Sequence, residues 1–201
     1  MKRHLIAALL IACFALSGSP VFAADMMLAP FQKSDGKWGF VNSDHCWVIN
    51  PQFQRTHGFD DGLARVELGG KLGFIDRTGK MVINPQFDWA QNFSEGLAGV
   101  KLGGKWGYID RNGKMVIHPQ FDEATSFSEG LAAVLLSGKY GFIDRTGKMV
   151  INPQFDNSRF DDLPIYGEFR DGLAQVGLGK KEFTINRAGQ VLLDPTCTAK
   201  P

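Results

Sequence analysis

The sequence predicts an all-β protein made of tandem repeat units, and three observations support this fold class. An aromatic or leucine residue followed by glycine recurs every 34 residues, at Trp38, Leu72, Trp106 and Tyr140. A Pro-Gln-Phe step keeps the same spacing, at Pro51, Pro85, Pro119 and Pro153. The stretches between the tight turns are short and alternate apolar with polar residues, which is typical of β-strands rather than helices.

Each unit is expected to contain three short strands. In the most regular copy these are residues 97–102, 106–110 and 115–117. Pro119 is expected to end the third strand, because a proline cannot donate a hydrogen bond to a β-ladder.

The turns between the strands are also predicted by residue type. Gly103 and Gly104 supply the positive φ that a tight hairpin requires. Asp110 can accept hydrogen bonds from the backbone that follows it, in an Asx turn that ends at Gly113. In the first unit His45 replaces this turn glycine, and a non-glycine residue at positive φ is uncommon but tolerated for histidine.

A connector joins each unit to the next and is expected to form a turn or a short helical piece. It carries Phe121 and Phe127, six residues apart, which we expect to fill the gap between units. The corresponding spacing from Phe155 to Phe169 is 14 residues, so eight residues have been inserted there. The eight added residues lie within the segment 157–168, which we call the insertion.

These elements predict about five three-stranded units of 34 residues, arranged as a solenoid-like array. A five-bladed, propeller-like ring is the alternative, because radial repetition also hides the sheet edges. Cys46 lies in the first unit and Cys197 in the last, and a disulfide requires Cα atoms within about 7 Å of each other. A disulfide between Cys46 and Cys197 would therefore favour the ring.

The repeated strings resemble a known family. The chain reads Lys-Trp-Gly-Phe at Lys37, with Ile-Asp-Arg-Thr-Gly-Lys at Ile75 and Ile-Asn-Pro-Gln-Phe at Ile83. This pattern resembles the WG (KWG) repeat family of bacterial proteins over nearly all of the chain after residue 23. The resemblance implies a β-rich repeat protein, and most members of the family have no assigned activity. It transfers no catalytic or binding residues.

The aromatic-glycine steps are interpreted as the packed core of the array. A buried tryptophan removes roughly 150–250 Å² from water, and the glycine beside it leaves room for the backbone or an aromatic ring of the adjoining unit. Leu72 argues against a row of exposed sugar-stacking rings, because a core can repack around leucine. The predicted structural core contains Trp38, Gly39, Trp106, Gly107, Tyr140 and Gly141.

The first 23 residues read as a secretory signal peptide, with a basic start, an apolar run to Leu16 and a small-residue cleavage site ending at Ala23. We therefore expect a periplasmic or secreted protein whose repeat domain comprises residues 24–201. A lipid anchor through Cys13 is the alternative. The apolar run is too short for the roughly 20 residues that a membrane span needs.

Charge and cysteine content limit the function further. The net charge is +1 over the whole chain, so a nucleic-acid partner, which requires a basic face, is not expected. Cys46 and Cys197 remain after the signal is removed, and an exported pair can form one disulfide.

No residues suggest catalysis, a metal or a cofactor. His45, His57 and His118 lack partners at metal-ligand spacing, and no nucleophile or phosphate-binding motif is present. We expect an exported binding or scaffolding module for a protein partner, and not an enzyme. The alternative is a module that binds envelope glycan, such as peptidoglycan, through the off-pattern aromatic residues Trp47, Trp89 and Tyr166.

The insertion 157–168 is the predicted partner-contacting surface. Longer loops on a rigid scaffold often hold binding residues, and arginine and aromatic anchors are typical of interface hot spots. The candidate binding residues are Arg159, Phe160, Ile165 and Tyr166. The alternative is a tolerated insertion that covers the end of the core, because long loops are inexpensive in entropy.

Overall fold

The computed structural model describes residues 27–156, 159–160, 163–164, 167–179 and 181–192, with the backbone alone for residues 159–160 and 163–164. All regular secondary structure in these residues is β-strand. The strands are β1 (Ala29–Gln32), β2 (Trp38–Val41), β3 (Trp47–Phe53), β4 (Arg55–Asp60), β5 (Leu63–Leu68), β6 (Lys71–Asp76), β7 (Met81–Phe87), β8 (Trp89–Ala90), β9 (Leu97–Leu102), β10 (Lys105–Asp110), β11 (Met115–Phe121), β12 (Glu123–Ala124), β13 (Leu131–Leu136), β14 (Lys139–Asp144), β15 (Met149–Phe155), β16 (Arg159–Phe160), β17 (Leu163–Pro164), β18 (Leu173–Leu178), β19 (Lys181–Asn186) and β20 (Val191–Leu192).

The strands form five antiparallel sheets in sequence order, which we call units 1 to 5. Unit 1 is β1-β2-β3, unit 2 is β4 to β7, unit 3 is β8 to β11, unit 4 is β12 to β15, and unit 5 is β18-β19-β20. Strands β16 and β17 form a separate hairpin. The all-β repeat fold is therefore confirmed.

The middle units differ from the prediction because each has four strands instead of three. Their connectors form no helical piece. The start of the connector pairs with the next strand as an additional strand, for example Glu123 opposite Leu135. This pairing satisfies backbone groups that a helical turn would have left beside a sheet edge.

The turns agree with the prediction. Gly103 and Gly104 have φ of 59° and 82°, and His45 has φ of 59°. Asp110 Oδ1 accepts hydrogen bonds from the amides of Asn112 and Lys114, both at 2.9 Å. An Asx turn thus closes the hairpin between the second and third long strands of the unit.

The prediction that Pro119 ends its strand is wrong, because β11 continues to Phe121. The pairing shifts between Trp106–Phe121 and Tyr108–Ile117, which is a β-bulge opposite Gly107. A proline at a bulge on an edge strand need not donate to the ladder.

The bulge also explains the glycine that follows each repeat aromatic. A Cβ on Gly107 would overlap the carbonyl oxygen of Ile117 and lie 2.7 Å from the nitrogen of Pro119. The close approach predicted for this glycine is therefore present. It is made by the third long strand of the same unit, and not by the adjoining unit.

Paired aromatic rings fill the gap between consecutive units, as predicted for the connector phenylalanines. Tyr108 in unit 3 packs on Phe127 in the connector of unit 4, with ring centroids 4.8 Å apart. Phe142 and Phe169 keep this contact at 5.1 Å, so the insertion leaves the junction geometry intact. The other pairs are Phe40 with Phe59 and Phe74 with Phe93.

A ladder of polar contacts also joins consecutive units. Glu95 accepts a hydrogen bond from the amide of Gly130 at 2.9 Å, and Glu129 accepts one from Gly172 at 2.9 Å. Asp61 accepts the corresponding bond from Gly96 at 3.2 Å. Each acidic residue therefore orders the turn of the following unit.

The units form a solenoid-like array in which strands of one unit contact strands of the next. Examples are β7 with β9 and β11 with β13. Cys46 is disulfide-bonded. The other two cysteines of the chain, Cys13 and Cys197, lie outside the described residues. The predicted Cys46–Cys197 pairing thus remains a prediction.

Candidate binding cavity

The repeat aromatics lie at the edge of the core and not at its centre. Trp38, Trp106 and Tyr140 are half-buried and pack against three separate core clusters. The centre of the core is the position two residues later, where Phe40 and Tyr108 are fully buried. Since the repeat aromatics are partly exposed, they are available to line a surface.

Trp106 lines a cleft at the junction between units 3 and 4. This connector cavity has a volume of about 460 Å³ and is formed by units 3 and 4 and by the connector of unit 5. The volume falls within the range of roughly 300–1,000 Å³ that is common for ligand sites. The lining residues are Gln91, Lys101, Trp106, Glu123, Ala124, Thr125, Ser126 and Glu168.

The floor of the connector cavity is polar, but its hydrogen bonds are made within the protein. Gln91 Nε2 donates to the carbonyl oxygen of Ala124 at 2.8 Å, and the hydroxyl of Ser126 donates to Gln91 Oε1 at 3.5 Å. Thr125 Oγ1 accepts a bond from the amide of Ala133 at 3.0 Å. These contacts fix the floor and tie unit 3 to unit 4.

The walls of the cavity carry an aromatic ring and charged groups. Glu123 accepts a hydrogen bond from the hydroxyl of Tyr140, which orients its carboxylate. Glu168 is exposed at the rim and lies 3.3 Å from Arg170. Lys101 occupies β9, where it is paired with Trp106 on one side.

A second, smaller cleft lies at the preceding junction. It has a volume of about 180 Å³ and is formed by unit 2 and the start of unit 3. Its lining residues include His57, Glu67, Leu72 and Trp89. These lie 34 residues before Gln91, Lys101, Trp106 and Glu123 of the connector cavity, at the same repeat positions. The array therefore forms the same kind of cleft twice, with different side chains.

Arg65 and Trp89 contribute a charged group and an aromatic ring to the smaller cleft. The guanidinium of Arg65 lies over the Trp89 ring at 5.8 Å from its centroid and donates to the carbonyl oxygen of Ala90. Burial holds the pKa of Arg65 below its ordinary value, although Asp60 acts in the opposite direction. Burial also lowers the pKa of His57, and the positive charge of Arg65 adds to this shift.

All four candidate binding residues from the sequence lie where their side chains are not described. Arg159 and Phe160 form β16, of which only the backbone is described, and Ile165 and Tyr166 lie outside the described residues. Glu168, at the end of the insertion, lines the connector cavity. The insertion therefore reaches this site through its last residue.

The sequence analysis missed the residues that line the cavity. Gln91, Glu123 and Thr125 lie in connectors, where residue type alone predicts only a turn or a short helical piece. The sequence does contain a pattern that indicates these positions, because their residue types change from unit to unit while the residues around them recur. At the position of Glu123, for example, unit 2 has Arg55 and unit 3 has Trp89.

The described residues contain no group of histidine, cysteine, aspartate or glutamate side chains arranged to hold a metal ion. They also contain no helix with the length and apolar character needed to cross a bilayer.

A fold of tandem β-sheets with recurring aromatic-glycine bulges defines a repeat protein. The family model for the WG containing repeat matches residues 38–71, 73–106, 106–140 and 140–181. The chain belongs to this family. A search of curated proteins finds no match.

Three solved structures align with this chain at low sequence identity. A crystal structure of a eukaryotic initiation factor is 11% identical with a TM-score of 0.49, covering 85% of this chain and 52% of that one. This chain thus spans about half the length of that protein. A Cicer arietinum lectin with two metal-binding sites is 14% identical, with a TM-score of 0.31 and coverage of 65% and 84%. A Bacteroides caccae protein of unknown function is 14% identical, with a TM-score of 0.34 and coverage of 87% and 75%.

Proposed function

We propose that this protein is an exported, non-catalytic binding module that captures a protein partner at the connector cavity. The observation that carries the proposal is the contrast within the repeat. The bulge glycine and the paired rings recur to maintain the array, whereas Gln91, Glu123 and their sister positions change and line clefts. In repeat proteins a constant scaffold with varied surface positions is typical of a recognition surface.

Export is part of the proposal and has two supports. The first 23 residues have the composition of a cleaved secretory signal. Cys46 is disulfide-bonded, which suits an oxidising compartment outside the cytoplasm. The mass of the protein purified from its source cells tests export. Cleavage after Ala23 supports a periplasmic or secreted protein, whereas a lipid mass on Cys13 would support the anchored alternative.

Partner capture tests the binding proposal. The exposed rim residue Glu168 is replaced by tryptophan to fill the cavity mouth, and Gln120→Trp places the same bulk at an exposed position on edge strand β11. We expect wild type and Gln120→Trp to recover the same partner from envelope extract, with crosslinks to the connectors of units 3 to 5. Glu168→Trp should lose that partner without a change in melting temperature. Equal recovery by both variants would reject the cavity as the site.

Binding of envelope glycan is the second candidate function, and Trp89 favours it. This ring is 50% exposed at the smaller cleft, and exposed aromatic rings can stack on apolar faces of ligands. Co-sedimentation with purified peptidoglycan tests this function. Loss of co-sedimentation in Trp89→Ala would support it, and unchanged co-sedimentation would reject it.

A further inference from the structure

The polar side chains on the floor of the connector cavity already form hydrogen bonds within the protein. Gln91 donates to Ala124 and accepts from Ser126, and Thr125 accepts from Ala133. A sugar would need several free donors and acceptors, because each buried hydroxyl without a partner is costly. The groups that a ligand can contact are therefore the charged and aromatic side chains on the walls of the cavity.

The main wall group is the carboxylate of Glu123, whose cross-strand neighbour carries no charge. In unit 2 Arg55 pairs with Glu67, at 3.7 Å from Nε to Oε2. In unit 4 the same two positions hold Glu123 and Leu135, which face each other across β12 and β13. Among the described side chains Glu123 makes no ion pair. Tyr140 holds the carboxylate in place.

The second wall group is the half-buried ring of Trp106. An indole face attracts a cation that approaches within about 6 Å of its centroid. Trp106 and Glu123 line the same cavity, and Glu168 adds a second carboxylate at the rim. An indole face beside an oriented carboxylate favours a ligand that is both cationic and carried on an apolar stem, which describes a lysine or arginine side chain.

We propose that the connector cavity binds a lysine or arginine side chain of the protein partner between Trp106 and Glu123. This proposal rests on the proposed function and names the chemistry of the partner. Lys101 lines the same cavity, and its ammonium group repels an incoming cation.

The first test is titration with tetralysine amide, followed by calorimetry and by the indole N–H signals of the tryptophans. We expect Trp106 to shift. Glu123→Gln keeps an acceptor for Tyr140 but removes the charge, and we expect affinity to fall about tenfold or more. The matched control is Glu182→Gln, which makes the same change at an exposed position of unit 5 and should leave affinity unchanged.

Two more variants separate this proposal from a structural effect. Trp106→Leu should fold normally, because unit 2 has Leu72 at this position, and it should weaken tetralysine binding. Lys101→Met should strengthen binding by roughly two- to fivefold, the range for an exposed charge contact. A structural role for these residues would not produce opposite effects on affinity.

Several results would overturn the proposal. They are equal affinity of wild type and Glu123→Gln for tetralysine, a Trp106 signal that does not move, or cavity-dependent binding of chitotetraose without binding of tetralysine. The last result would make the ligand a saccharide. Failure of the proposed function looks different, because then no partner crosslinks to the cavity even from wild type. If wild type and Glu123→Gln capture the same partner equally, the proposed function stands and the cationic side chain is rejected.

Discussion

The junction between units 3 and 4 contains two regions that differ in how they tolerate change. On the core side, Tyr108 and Phe127 are fully buried, and every junction has such a ring pair. On the cavity side, Gln91 and Glu123 hold positions where each unit has another residue. This difference indicates that the constant core side keeps the two units packed together. The residues on the cavity side can vary, and they can therefore form a binding site.

The largest effect is expected on the core side. Phe127→Ala removes a buried ring that packs on Tyr108, and we expect the free energy of unfolding to fall by about 3–5 kcal/mol. Urea denaturation measures this change. Val116→Ala, at a position 39% exposed on edge strand β11, is the control and should cost about 0.5 kcal/mol. Similar losses in the two variants would remove the distinction between core and surface.

A smaller loss is expected from Gly107→Ala. The added methyl would overlap backbone atoms of Ile117 and Pro119, so the bulge must move, at a cost of about 2–3 kcal/mol. Gly58→Ala is the matched control, because nothing lies within 4 Å of its added Cβ. We expect Gly58→Ala to be neutral or stabilising by up to about 1 kcal/mol. A tolerated Gly107→Ala would show that the bulge does not require glycine.

The hydroxyl of Tyr108 sharpens the comparison, because it joins the core side to the cavity floor. It donates to the carbonyl oxygen of Thr125 at 2.7 Å, and burial raises its pKa, so it stays protonated. Tyr108→Phe, which restores the residue of the sister units, should cost about 1–2 kcal/mol because the Thr125 carbonyl loses its donor. Thermal denaturation checks this value. No loss would mean that this carbonyl finds another donor.

The smallest effect concerns the Asx turns. The hydroxyl of Thr146 donates to Asp144 and, with nearby backbone amides, holds its pKa below the ordinary value. The stabilisation that the ionised Asp144 carboxylate provides is therefore complete above the unfolded-state pKa of about 3.9. It is lost as the pH falls through the lower pKa of the folded state.

Asparagine already closes the same turn at Asn186, which accepts from the amides of Ala188 and Gln190. Asp144→Asn should thus match wild type within about 0.5 kcal/mol at neutral pH and lose less stability on acidification. Urea denaturation across the acid range tests this. Equal acid sensitivity of the two proteins would contradict the role given to the Asp144 carboxylate.

The sequence predicted the parts of the structure that depend on local rules and a fixed period. The glycine turns, the Asx turns and the phenylalanines between units follow from single residue types. The added strand, such as β12, did not, because its pairing depends on the sheet edge that the connector meets. The continuation of β11 through Pro119 depends on the bulge at Gly107, a contact between two strands.

The cavity was harder to predict than the fold for a related reason. Gln91, Glu123 and Glu168 are separated along the chain, and the array brings them together only when units 3 to 5 pack. Any one of them reads as an ordinary solvated residue in its connector. The comparison of sister positions identifies them, because these positions vary while the residues that pack the junction stay constant.

The central claim is that the varied side of the junction, and not the constant repeat surface, contacts the partner. Photocrosslinking in the source cells tests it directly, with p-benzoylphenylalanine placed at Glu168 on the cavity rim and, separately, at Gln120 on edge strand β11. The account predicts a crosslinked partner from position 168 and none from position 120. A partner captured from position 120 and absent from position 168 would contradict it.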